Sequence, residues 1–352
     1  MNCNLVHALV TQTRDDCQLA ARSIAPTIMT MQGLPDRLNT QSHLWSVSQS
    51  HSRLFLSLLS VTVTLTMSWL HASPWLHYVS IDEILRPYVF RRFIPFSARI
   101  LAFASGLDYR AALVTLIIAC AVGYLISTRY LYTTFFEHDA RADLFVLLSA
   151  VMLFPILNPP HMYDIPTALF FTLEIALLAR RRIVLYIIVF IFASLNRETA
   201  FLLPIVFSVH FVQDRKMSWK EYVLLIVIQV LIYGWIRYTV LSSFSRYPGD
   251  DILIRPIENL RMYLESPIQA LVVLLLSGSI LWMVVHQWRN VPEIIQTSFL
   301  IFTPILFLMY VISGKTFEIR VFIEVLPVLT IFLTTMISSC ARSHRAPNPL
   351  AI

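Results

Sequence analysis

The chain has 352 residues, of which 57% are hydrophobic and only 14% are charged, and its mean hydropathy is +0.67. A soluble domain of this length could not bury so much apolar surface, so the composition predicts an integral membrane protein. Only seven glycines are present, with no GxGxxG or Walker A pattern, which argues against nucleotide-driven work. The net charge of +6 comes from arginines scattered among membrane-flanking positions. This distribution favours membrane lipids over nucleic acid as the partner.

The first 52 residues are polar and lack an apolar run of signal-peptide type, so we predict a poorly ordered cytoplasmic tail. A start codon assigned too far upstream is the alternative. Residues 53–340 are predicted to form a polytopic membrane domain, followed by a short cytoplasmic tail over 341–352. The four cysteines lack CxxC or Cys/His spacing, so they indicate neither a disulfide framework nor a zinc site.

Apolar runs bounded by charge or proline mark the predicted membrane spans, since a helix needs about 20 apolar residues to cross a hydrocarbon core of about 30 Å. Eight runs meet this description directly. They cover residues 54–73, 111–128, 143–158, 164–180, 222–242, 267–288, 295–313 and 321–340.

The region 183–212 carries an arginine and a glutamate in the middle of a strongly apolar stretch. It is either one long helix with Arg197 and Glu198 at mid-membrane or two short helices that meet at a turn. Basic clusters precede and follow the region, and such clusters belong at cytoplasmic ends, which favours two helices. Thirteen residues precede the turn. At 1.5 Å per residue they span only about 20 Å, so the turn is expected inside a protein-lined cavity.

The sequence therefore predicts an all-α integral membrane protein with about ten transmembrane helices and both termini inside. The inverted orientation is the alternative, because the charge bias between the two sides is weak. In the favoured orientation the odd polar residues gather in five outer segments, which cover residues 80–100, 158–166, 196–199, 245–261 and 314–320.

Ionisable residues at a membrane rim cost free energy unless they are paired or hydrated, so the outer ones are functional candidates. Structural ion pairs that tie short helices together are the alternative for Arg197, Glu198, Glu318 and Arg320. Since adjacent helical residues do not face each other, we expect Glu198 to pair with Arg320, or Glu318 with Arg197. For Asp164, which begins a helix, a capping role is the alternative.

The first outer segment contains two adjacent carboxylates, Asp82 and Glu83, followed by Arg91 and Arg92. A guanidinium group suits two-point contact with phosphate, and a nearby carboxylate could deprotonate an acceptor hydroxyl while the phosphate leaves. The alternative is that the acids are solvated and the arginines bind phospholipid head groups. Apolar residues interleaved with arginine over 89–105 predict an amphipathic helix lying along the outer surface.

The order of these motifs resembles that of polytopic glycosyltransferases of the GT-C superfamily, including bacterial members known only by prediction. The likeness covers residues 54–340. It begins with an acidic pair after the first span (Asp82 and Glu83) and an R-x-x-P run (Arg92 and Pro95). A YD-x-P helix start (Tyr163 to Pro166) and an RET turn (Arg197 to Thr199) follow. A final E-x-R with a later proline (Glu318, Arg320 and Pro327) completes the series.

The resemblance implies a polyprenyl-phosphate-linked sugar as donor and a reaction at the extracytoplasmic face of a bacterial inner membrane. Asp82 would be the catalytic base, with Glu83 as its neighbour or replacement. Lipid-phosphate or substrate contacts would come from Arg91, Arg92, Asp164, Arg197, Glu198, Glu318 and Arg320.

No soluble outer domain follows the last span, so a glycan or lipid-linked acceptor is expected. No metal site is predicted, but metal use varies in the superfamily, and Asp82 with Glu83 could supply oxygen ligands to a divalent cation. A transporter or flippase of an anionic lipid-linked saccharide is the main alternative, and a glycan polymerase or ligase shares the same outer-face chemistry. A structural scaffold would leave the five charged segments unexplained.

Overall fold

The computed structural model describes residues 91–136, 141–153, 164–214, 217–244, 256–313 and 319–343. Within these ranges the regular structure is helical, with no β-strand. The helices are α1 Phe93–Ser105, α2 Tyr109–Phe135, α3 Arg141–Leu153, α4 Asp164–Ala179, α5 Ile183–Asn196, α6 Leu202–Asp214, α7 Trp219–Phe244, α8 Pro256–Glu265, α9 Pro267–Gln287, α10 Glu293–Ser313 and α11 Leu326–Ser343. Short 3-10 turns occupy Glu198–Phe201, Trp288–Asn290 and Ile319–Phe322.

Within the described residues, four helices are long and apolar enough to cross a membrane, which supports the prediction of a membrane protein. They cover Tyr109–Phe135, Trp219–Ser243, Ala270–Asn290 and Glu293–Ile312. The remaining predicted spans within the described ranges correspond to shorter helices, and the predicted span 54–73 lies outside those ranges. The all-α class is therefore supported, whereas ten spans are not confirmed.

The region 183–212 forms two short helices, as the flanking charges predict. Helix α5 ends at Asn196, Arg197 adopts an extended backbone conformation, and α6 begins at Leu202. The rings of Tyr186 in α5 and Phe207 in α6 lie 5.7 Å apart, although 21 positions separate them in sequence. In one continuous helix they would be about 31 Å apart, so the two helices fold back on each other as a hairpin.

The amphipathic segment after the first predicted span forms helix α1, which packs against α2 and α5. Ile94 and Ala98 are buried, whereas Phe96 and Phe103 are exposed. Gly106 ends the helix in the left-handed conformation, which glycine adopts without steric cost. The helix therefore presents an apolar face to its surroundings, as a helix in contact with lipid would.

Helix α4 is the most enclosed element of the bundle and packs most extensively against α2. Gly123 of α2 faces the Leu169 side chain of α4, from which an added Cβ would lie 3.4 Å. Helices α7 and α9 differ, since large apolar side chains along them are exposed. In α7 these include Leu224, Leu231, Trp235 and Tyr238, and in α9 they include Leu271, Leu274, Leu275, Leu281 and Trp282.

Candidate functional site

The structure describes the side chains of only some of the predicted site residues. Asp82, Glu83 and Glu318 lie outside the described residues, and at Arg320 the structure describes the backbone only. The other candidates are Arg91, Arg92, Asp164, Arg197 and Glu198, and each has a described side chain.

Asp164 lies at the centre of a buried cluster of charges. It is the first residue of α4, and its side chain is fully buried. Its Oδ1 accepts a hydrogen bond from Nη1 of Arg91 at 3.1 Å and another from Nη1 of Arg197 at 3.3 Å. Carboxylates are also favoured in the first turn of a helix, where the helix dipole is positive. Asp164 thus joins the start of α1 to the α5–α6 hairpin.

Arg197 extends this cluster to a second acid. Its Nε lies 3.2 Å from Oε1 of Glu324, which lies two residues before α11 and is fully buried. The hydroxyl of Thr199 donates a hydrogen bond to the same carboxylate oxygen. Arg91, Asp164, Arg197 and Glu324 form what we call the four-charge network: two cations and two anions that compensate each other away from solvent.

Neutral hydrogen bonds strengthen the same junction. The amide of Asn196 donates to the hydroxyl of Thr167 at 2.8 Å, which connects the end of α5 to the first turns of α4. The backbone N–H of Arg92 donates to the carbonyl oxygen of Leu195 at 3.1 Å, which connects the residue before α1 to the last turn of α5. The hairpin turn is therefore held by main-chain and side-chain contacts on two sides.

Glu198 points in another direction, toward α7. One of its carboxylate oxygens lies 3.8 Å from Nη1 of Arg237, and 41% of its side chain is exposed. Arg237 also donates to the carbonyl oxygen of Ser194 at 2.6 Å, and the hydroxyl of Tyr233 donates to the carbonyl oxygen of Glu198 at 2.8 Å. The adjacent charges at 197 and 198 thus use different partners, and the extended backbone at Arg197 separates the two side chains.

The cross-pairing expected between 197–198 and 318–320 stays a prediction, because the side chains at 318 and 320 are not described. The sequence missed Glu324 and Arg237, which are the observed partners of Arg197 and Glu198. Each stands alone in an apolar run that was assigned to a span. A single charge inside such a run was the available signal for both.

Three of the five predicted outer segments contribute a charge to the network. Arg91 belongs to the first segment, Asp164 to the second and Arg197 to the third, while Glu324 follows the last by four residues. Of the remaining segment, 245–261, the structure describes the part from Pro256, which begins helix α8. The network therefore brings charges from three predicted outer segments, distant in sequence, into contact.

A second group of charges lies at the opposite end of α4. Arg180 follows the last residue of α4, donates from Nε to the hydroxyl of Thr134 at 2.8 Å, and stacks on the ring of Tyr130 at 4.1 Å. Nearby, Nη2 of Arg129 in α2 lies 3.9 Å from Oδ1 of Asp143 in α3. At the helical rise this end is about 24 Å from Asp164, so charged clusters lie at both ends of the bundle.

Among the described residues, no group of three or more His, Cys, Asp or Glu side chains could hold a metal ion. Asp82 and Glu83, which could supply oxygen ligands to a divalent cation, lie outside the described residues. The chain matches no known protein-family model and no curated protein. The site has to be interpreted from its own residues.

Proposed function

We propose that the protein is a membrane glycosyltransferase of the GT-C kind, which moves a sugar from a polyprenyl-phosphate donor to a glycan or lipid-linked acceptor at the extracytoplasmic face. The four-charge network is the observation that carries this proposal. It brings together charges from three of the outer segments, and Arg91 belongs to the same predicted segment as the acidic pair.

Asp82 lies nine residues before Arg91 in sequence. In the proposed arrangement Asp82 acts at the same end of the bundle as Arg91. In the proposed reaction Asp82 accepts the proton of the acceptor hydroxyl. The hydroxyl oxygen bonds to the anomeric carbon, and the carbon–oxygen bond to the phosphate breaks, leaving polyprenyl phosphate.

The phosphate contact is assigned most specifically to Arg92. Arg91 and Arg197 are more than nine-tenths buried and bind carboxylates of the protein, which makes them positioning residues in this arrangement. Arg92 precedes α1 at the edge of the network, and its side chain is only partly buried. A guanidinium group in that position could stabilise the charge that develops on the leaving phosphate.

The direct test is sugar transfer by purified protein in liposomes, with a panel of radiolabelled polyprenyl-phosphate hexoses. Asp82→Asn keeps the size of the side chain but removes the base, so we expect it to abolish transfer while Glu83→Gln retains part of it. Both variants should be recovered folded from the membrane. Full transfer by Asp82→Asn would remove this residue from the reaction.

A second test concerns the donor contact and does not require knowing the acceptor. Lipids that co-purify with the gently solubilised protein are identified by mass spectrometry for wild type, Arg92→Ala and Arg99→Ala. Arg99 is exposed on the same helix and serves as the matched control. We expect a polyprenyl-phosphate species that Arg92→Ala loses and Arg99→Ala keeps. Ordinary phospholipid in equal amounts in all three would contradict the contact.

Transport of an anionic lipid-linked saccharide is the second candidate, and the break at Arg197 favours it. Transporters commonly use discontinuous helices that meet near a substrate site inside the membrane, and the α5–α6 hairpin has such a break. The liposome assay separates the two functions. A transferase changes the glycan on the acceptor, whereas a transporter moves unchanged donor to the other leaflet.

A further inference from the structure

A cavity of about 410 Å³ lies at the Arg180 end of the bundle, away from the four-charge network. It is formed where α4 and α6 end and where α5 and α7 begin. Its apolar lining includes Leu178, Ile183, Phe207 and Leu225. Exposed residues such as Arg181 also line it, so the cavity reaches the surface of the protein.

One helical turn farther into the bundle, the same elements carry a buried polar cluster. Glu174 precedes Leu178 by four residues in α4, and Tyr186 follows Ile183 by three in α5. Gln229 of α7 accepts a hydrogen bond from the Tyr186 hydroxyl at 3.1 Å. On each of the three helices, the cluster residue lies about one turn from a residue that lines the cavity, on the same face of the helix. The cluster therefore lies beneath the cavity floor.

Glu174 is fully buried, and neither of its carboxyl oxygens has a hydrogen-bond partner among the described residues. Tyr186 is close enough to interact with it electrostatically, but its hydroxyl hydrogen is given to Gln229. Glu324 is the matched case in the same bundle, because it is equally buried yet contacts a guanidinium group and a hydroxyl. An ionised Glu174 would be an uncompensated buried charge.

The other charged groups near this end have partners, line the cavity or, like Arg182 and Lys220, are exposed. Arg129 is near Asp143, and Arg180 contacts Thr134 and Tyr130. Arg181, His210 and Glu221 line the cavity itself. In the described part of the chain, Tyr186 is the titratable side chain that interacts electrostatically with Glu174. Glu174 is therefore placed where a proton, supplied through the cavity, would neutralise it.

We propose that Glu174 is an intramembrane proton-binding site, which carries its proton at neutral pH and exchanges it with solution through the cavity at the Arg180 end. The site requires a carboxyl group at 174 and an open path between α4, α5, α6 and α7. It lies about 15 Å along α4 from Asp164, so it is separate from the four-charge network.

Infrared spectroscopy of the protein in lipid nanodiscs at neutral pH tests the protonation directly. Wild type should show the carbonyl stretch of a neutral carboxylic acid, and Glu174→Gln and Glu174→Leu should both lose it. Glu324→Gln is the control and should keep this band, because Glu324 is ion-paired. An unchanged band in folded Glu174→Gln, or a lost carboxylate band in its place, would overturn the proposal.

Transfer of the nanodiscs into D₂O tests the route. The carboxylic-acid band of wild type should shift as deuterium replaces the proton, and Leu178→Trp, which fills the cavity, should slow that shift. Leu231→Trp is the size-matched control, because Leu231 is exposed on α7 away from the cavity lining, and it should leave the rate unchanged. A band that never shifts, or that shifts equally fast with the cavity filled, would contradict exchange through it.

Discussion

Glu324 and Glu174 are both glutamates with no exposed surface, yet they differ in the partners that the bundle provides. Glu324 has a guanidinium group and a hydroxyl at one oxygen, and with Asp164 it helps to join four separate segments. Glu174 lies in a buried cluster with Tyr186 and Gln229, and its carboxyl oxygens make no hydrogen bond in the described part of the chain. The first arrangement fixes geometry because its charges need each other, whereas the second leaves a group whose only means of neutralisation is a proton.

The largest expected effect comes from removing the shared cation of the network. Arg197→Ala leaves the carboxylates of Asp164 and Glu324 buried with fewer positive partners, so we expect the free energy of unfolding to fall by about 3–5 kcal/mol. Unfolding in mixed micelles, followed by circular dichroism, measures this. Arg197→Lys retains the charge without the planar fork and should lose less. Wild-type stability in Arg197→Ala would mean that the network does not hold the segments together.

The same substitution at the two buried glutamates compares them most directly. Glu324→Leu should lower the free energy of unfolding by about 2 kcal/mol, because Arg197 then keeps Asp164 as its remaining network partner. Glu174→Leu removes a group without hydrogen bonds, so its effect should lie within about 1 kcal/mol of zero or be stabilising. Equal losses in the two variants, measured in the same micelles, would contradict the difference between the two environments.

A smaller effect is expected from the hydroxyl that supports the network. Thr199→Val keeps the side-chain shape but removes the donor to Glu324, and a hydrogen bond to a charged group contributes about 1.5 kcal/mol or more. Thr172→Val is the matched control, because that buried hydroxyl donates only to the carbonyl oxygen of Ala168 within its own helix. If both variants unfold alike, the hydroxyl of Thr199 adds nothing specific to the network.

The smallest effect is expected outside the network, at the partly exposed pair of Glu198 and Arg237. Solvent screens this pair, and its closest charged atoms are 3.8 Å apart, so Glu198→Gln should change the free energy of unfolding by about 0.5 kcal/mol or less. Glu265→Gln, which breaks the exposed pair with Arg261, gives a comparison for a surface interaction. A loss as large as that of Arg197→Ala would place Glu198 in the network as well.

The α5–α6 hairpin could be predicted because the charges at 197 and 198 interrupt apolar runs too short to span a membrane, with basic clusters on both sides. The shared location of Arg91, Asp164 and Arg197 followed from the same topology. The motifs at Asp164 and Arg197 each place a charge at a helix boundary.

The identities of the ion-pair partners could not be predicted in the same way. Glu174, Arg237 and Glu324 each stand alone in an apolar run, and hydropathy treats such residues as tolerated interruptions of a span. Which side of a helix each one occupies, and what it meets there, depends on the packing of helices distant in sequence. The observed partners of Arg197 and Glu198 were therefore accessible only from the structure.

The hydrogen bond from the Arg92 amide to the Leu195 carbonyl has a mechanical consequence. It ties the tip of the α5–α6 hairpin to the residue from which α1 starts, and the Arg91 side chain adds a second tether through Asp164. These two contacts couple the motion of the hairpin tip to that of the start of α1. Any molecule that displaces the hairpin also pulls on the chain that leads back to Asp82.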